Sequence, residues 1–252
     1  MLSHHLQRLT HTWQAKATFL DLDFKPARDQ PATRIHGRFL GIQLWDSPLG
    51  PQLTQTSASR LLDPSVIEHP HSHQGWVKAI RPRVPQLLRL ACVHVLACAQ
   101  GMPVHSHLVG PDAVLDWPAW APQEAQAIVA SWCQSHAQAW HSPMPVLCDL
   151  ASEWLTFLHS PAQKHDEAPD LARRQVMKRL EPGSRNPSWD FKRHAVVQRH
   201  LPAPDAALAA IETWAACLYL PLIQTMNVAV HGGPRHVWIE RVASDPAPGA
   251  DA

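Results

Sequence analysis

Histidine is the residue type whose spacing in this chain comes nearest to a chemical site. Eighteen histidines stand among 252 residues, against a single tyrosine. Two groups alternate: His69, His71 and His73 in the segment HPHSH, and His105 with His107 in HSH. On a strand, residues i and i+2 share one face, so His105 and His107 could both ligate one metal ion. A structural zinc site needs four well-placed ligands, and no cysteine or acidic residue stands at ligand spacing from either group. The expectation is therefore a polar loop and a polar strand, with no metal ligands assigned. His94 lies inside a long apolar stretch and reads as a hydrogen-bonded core histidine.

Basic side chains form the second group. Arg34, Arg38 and Arg60 lie on or beside a predicted hairpin, and Lys78, Arg81 and Arg83 cluster in KAIRPR. If these six converge on one face they could hold a phosphate backbone, which makes them the candidate DNA-binding residues. Taken singly, each suits a solvated surface. Arg173, Arg174, Lys178 and Arg179 span a helix face that could equally meet a partner protein. The net charge of +1 gives no global pull toward nucleic acid, so a contact needs a local patch or surfaces from partner chains. Neither a GxxxxGK(S/T) phosphate loop nor a GxSxG nucleophile elbow occurs.

The elements that position these residues follow from periodicity and turn chemistry. Leu6, Leu9, Trp13, Ala17 and Leu20 have helical spacing, which predicts a helix over Leu6–Phe19. Lys25–Pro31 reads as a turn-rich connection. Arg34–Trp45 reads as a strand bent or bulged by glycines, Asp46–Pro51 as a turn, and Gln52–Leu62 as the returning strand. His69–Gln74 is a polar loop. Pro85–Gln100, apolar almost all round, predicts a buried helix closed by Gly101. Val104–Val109 and Val114–Trp117 read as short strands around the Gly110-Pro111-Asp112 turn. Pro122 opens a long amphipathic helix that ends by Pro143, with Glu124 near its positive end. Asp149 caps a helix through Leu158. After a loop over Ser160–Asp170, helices follow at Asp170–Leu180, Pro187–His200 and Pro204–Leu220. Residues after Asn227 read as a frayed tail. The fold class expected is α/β or α+β, a small mixed sheet flanked by helices, with one domain over residues 1–226 and a tail over 227–252.

Cys92, Cys98, Cys133, Cys148 and Cys217 are an odd number without regular spacing, which fits buried thiols in a reducing cytoplasm. The start, MLSHHLQRLTHTW, lacks the basic residues and apolar run of a signal peptide. The longest nearly apolar run found, Leu87–Ala99, is too short to span a bilayer. The expected location is cytoplasmic, with no membrane contact.

An ordered series of short segments carries a family resemblance. Leu87–Gly110 (LLRLACVHVLACAQGMPVHSHLVG) resembles the buried helix with a central histidine, then glycine, then strand, of the last domain of RecC, the exodeoxyribonuclease V gamma subunit. His94 takes the histidine position. Trp117-Pro118 with Ala121-Pro122-Gln123-Glu124-Ala125 resembles that family's next helix start. Ala139–Leu155 resembles its following segment, and Trp189, Leu201-Pro202 and Cys217–Leu222 its close. The series runs in the same order from Leu6 to Met226. It departs from the family in its scarcity of aromatic residues and in its long tail, and a whole gamma subunit is several times longer.

That resemblance implies a degenerate PD-(D/E)xK nuclease-like fold. Such a fold needs an Asp at the end of one hairpin strand and Asp/Glu-x-Lys on the next, because paired carboxylates hold Mg²⁺ against the scissile phosphate while the Lys orients the attacking water. Gly37–Ile42 carries no acid, and Thr54–Arg60 carries neither acid nor Lys. Asp46 and Asp63 fall in predicted turns without an x-Lys partner. The resemblance thus implies a chain without catalytic residues or a cofactor of its own, with Mg²⁺ and ATP belonging to partner subunits. Those partners would be RecB-like and RecD-like chains and DNA, in a helicase–nuclease that repairs double-strand breaks by homologous recombination. Two alternatives remain open at this point: a stand-alone degenerate nuclease-fold DNA-binding protein, and a histidine-rich metal-binding protein.

Overall fold

The computed structural model describes residues 6–7, 10–24, 35–68, 76–141, 148–159, 168–181, 184, 188, 199 and 203–230. The first expectation to change is the opening helix. Leu6, Gln7 and Thr10 are helical, but Trp13 closes that turn by donating its N–H to Thr10 O at 3.0 Å. A strand, β1 (Gln14–Phe24), follows. The reason lies in Leu20-Asp21-Leu22-Asp23, where both leucines are buried and both aspartates exposed. That period of two fits one face of a sheet and cannot continue a helical stripe.

β2 (Ile35–Ser47) and β3 (Gly50–Thr56) form the expected hairpin, with Ser47 opposite Gly50. The expected bulge falls at Gly41, whose φ of 75° is in the left-handed region. Around it the pairing with β1 jumps, Ala17 facing Leu44 and Phe19 facing Leu40. β3 ends at Thr56, short of the expected Leu62. The chain then bends at Ala58 and Ser59, and the Asp112 carboxylate accepts from the backbone N–H groups of Leu61 (2.8 Å) and Leu62 (3.2 Å). β4 (Leu62–Glu68) and β5 (Trp76–Pro82) form a separate two-stranded sheet that the periodicity does not predict.

α1 (Val84–Ala99) is the buried helix, ending before Gly101 at φ 83°. It carries the chain across so that β6 (His105–Val109) lies parallel to β3. β7 (Ala113–Trp117) returns antiparallel. α2 (Pro122–Ala139) starts on proline with Glu124 in its first turn, as predicted. α3 (Cys148–Leu158), α4 (Ala168–Leu180) and α5 (Pro204–Gln224) follow. Asn227–Val230, read above as the start of a tail, instead form β8 against β7. The large sheet has the order β1-β2-β3-β6-β7-β8, antiparallel except at β3–β6. The architecture is α+β. The segments 25–34, 69–75, 160–167 and 231–252, with most of the predicted Pro187–His200 helix, lie outside the described residues.

Two cores hold these layers. Ile42, Leu53, Leu108, Leu115 and Trp117 on the inner face of the sheet pack against Leu87, Leu90, Val129 and Cys133 of α1 and α2. Leu150, Leu155, Val176, Ile211 and Ala215 form the second, among α3, α4 and α5. Each large apolar side chain so buried contributes about 1.5–3 kcal/mol relative to exposure. Beside the second core Arg179 of α4 pairs with Asp149 (2.9 Å) and Glu153 of α3, and the Ser188 hydroxyl donates to Asp149 at 3.2 Å. Asp149 therefore sits in the first turn of α3 as an ion-pair partner as well as bonding the Leu150 N–H at 2.9 Å. α5 exceeds Leu87–Ala99 as an apolar run: by length and composition it could cross a membrane. Here its Ala207, Ile211, Ala215 and Tyr219 stripe is core, and Asp205 and Glu212 interrupt its other faces.

Candidate functional site

Strand pairing sorts the central sheet residues into rows. On the inner face run Leu44, Leu53, Ser106 and Trp117, directly opposite one another. On the outer face run Trp45, Gln52 and His105, and one step along, Gln43, Thr54, His107, Asp116 and Asn227. The outer rows are polar and aromatic, and their members bond both between the rows and along them. The Trp45 indole N–H donates to the Thr54 hydroxyl at 2.8 Å. The Gln52 amide NH₂ donates to Ser47 Oγ (3.2 Å) and to Gly50 O (3.1 Å), which leaves its Oε1 to accept from His107 Nε2 at 3.0 Å. That arrangement puts the proton of neutral His107 on Nε2. Asn227 donates to Asp116 at 2.9 Å.

Trp13, just ahead of β1, leans over this network. Its ring centroid lies 5.5 Å from that of His107 and 6.5 Å from that of Trp45. Both tryptophans are half-buried, whereas Gln52 and Thr54 beneath them are buried. Burial pushes the His107 pKa down, Asp116 partly offsets this, and His105 adds to the depression.

No protein-family model matches the chain, and no curated protein matches it.

His94 is the core histidine expected. It is fully buried, with Nδ1 2.9 Å from Ser106 Oγ and the Trp120 ring edge-on at 5.3 Å. Burial, with a smaller contribution from His105, pushes its pKa down to about 3. Cys98 Sγ lies 3.9 Å from His94 Nε2, so serine, histidine and cysteine stand in a line. All three are buried and burial raises the Cys98 thiol pKa, the reverse of what a thiolate nucleophile needs. The line is structural.

Five of the six basic candidates lie among the described residues, on β2, on β5, after β3 and just before α1. Arg38 faces Asp21 across β1–β2 in a bidentate pair, 2.9 and 3.0 Å. Arg60 follows β3, its Nε 3.5 Å from Asp112. Arg83 precedes α1, half-buried, its backbone N–H on Leu61 O at 2.8 Å. Lys78 and Arg81 lie on β5 opposite Val66 and Asp63. Arg34 lies outside the described residues. Of the second basic group, Arg173 pairs with Glu212 (2.6 Å) and Arg179 turns inward, so neither is a bare surface cation.

His105 and His107 do share one face of β6. Among the described residues no three histidine, cysteine or acidic side chains stand together as a metal site. HPHSH lies outside the described residues. Asp46 and Asp63, expected in turns, are on β2 and β4, and Asp46 pairs with Lys16 at 3.4 Å. Sequence reasoning missed Trp13, Trp45, Gln52 and Thr54. The signal was present in the alternation of Gln52, Leu53 and Thr54, but it identifies a site only once β6 is known to lie beside β3.

Proposed function

We propose that this chain is a non-catalytic, DNA-handling domain of an exodeoxyribonuclease V-type helicase–nuclease, with a degenerate nuclease-like fold and RecB-like and RecD-like partners. The observation that carries the reading is the β2–β3 hairpin. A metal-dependent nuclease of this type needs two carboxylates and a lysine on such a hairpin; Gly37–Ile42 carries no acid, Thr54–Arg60 carries neither acid nor lysine, and the central outer-face positions are Gln43, Trp45, Gln52 and Thr54. Those side chains are neutral, and three of them are bonded to one another or to β6. Surface shape can be kept for positioning DNA and partner chains while metal ligands are not needed. Mg²⁺ and ATP then act on the partner subunits, in the cytoplasm, during double-strand break repair. The ordered segment resemblance from Leu6 to Met226 supports the same reading.

The test is capture of RecB-like and RecD-like chains by this protein, together with a Mg²⁺-dependent nuclease assay on the chain alone. Capture without cleavage is the expected result. Cleavage by the chain alone overturns the non-catalytic part. Absence of capture overturns the complex and favours a stand-alone DNA-binding protein, or, if zinc copurifies, a metal-binding one.

A further inference from the structure

We draw no further inference here: the strongest candidate, the exposed surface patch of Ala206, Ala209, Thr213 and Ala216 along α5, is a row of small side chains on one helix, and nothing among the described residues shows what covers it.

Discussion

The imidazole of His94 and the hydroxyl of Ser106 meet at 2.9 Å between α1 and β6, with both residues fully buried. This bond ties the crossover helix to the strand that it delivers. On the opposite face of the same strand, His107 bonds Gln52 of β3. β6 is thus pinned on both faces by neutral histidines, at the single parallel pairing among the described strands of the large sheet.

Acid should loosen this arrangement. The folded pKa of His94 is about 3, against 6.5 for a free side chain. Above 6.5 His94 is neutral in both states, so its full contribution to stability is present. As pH falls below 6.5 the unfolded chain takes up a proton that the folded chain refuses, and stability drops by about 1.4 kcal/mol per pH unit from this group. His107, depressed in the same direction, adds to the slope. Urea titrations at several pH values should show the loss. His94→Leu combined with Ser106→Ala should flatten the curve, because both polar partners are removed together.

Ser106→Ala alone should destabilise by about 1–3 kcal/mol, the cost of leaving a buried ring nitrogen without a partner. The midpoint of urea unfolding reads this directly. A midpoint equal to that of the parent protein would mean that the bond contributes nothing.

Gly110 shows a close approach rather than a special backbone angle. A Cβ there would stand 2.7 Å from Leu61 Cδ1, and Leu61 is fully buried. Gly110→Ala should cost about 1–3 kcal/mol through overpacking. The thermal midpoint is the measurement, and Leu61→Ala in the same chain should recover part of the Gly110→Ala loss if the clash is its cause.

Arg179 joins α4 to two carboxylates of α3 at 12% side-chain exposure. Removing it leaves two acidic groups in a largely dry site, so Arg179→Met should destabilise by about 3–5 kcal/mol. Arg174→Met on the exposed side of the same helix should stay within about 0.5 kcal/mol of the parent. Urea unfolding of the two variants side by side makes the comparison.

Leu49 at the β2–β3 turn is 82% exposed and Trp140 at the end of α2 is 79% exposed. Large apolar side chains exposed to this degree favour self-association at high concentration. Light scattering of the isolated chain should show association at high concentration, and Leu49→Ser with Trp140→Gln should reduce it without lowering the thermal midpoint. A well-dispersed parent chain would contradict this.

Elements with local signals were legible from the order of residues alone. Gly101 after an all-round apolar run, Pro122 ahead of Glu124, and the Gly110-Pro111-Asp112 turn each act within a few residues, and the structure puts α1, α2 and the β6–β7 hairpin there. Burial of His94 followed from its apolar neighbours in the same way. Packing settled whatever depends on residues far apart in the chain. Leu6 to Leu20 has helical spacing, yet Gln14–Phe24 is a strand because β2 offers it a partner and Leu20 and Leu22 a core. Asn227–Val230 looked like a tail because four residues carry little signal until β7 lies alongside. Arg179 looked like a surface cation until α3 brought Asp149 and Glu153 to it. The outer-face network needed the same information: Gln52 and His107 are 55 residues apart, and only the crossover through α1 makes them neighbours.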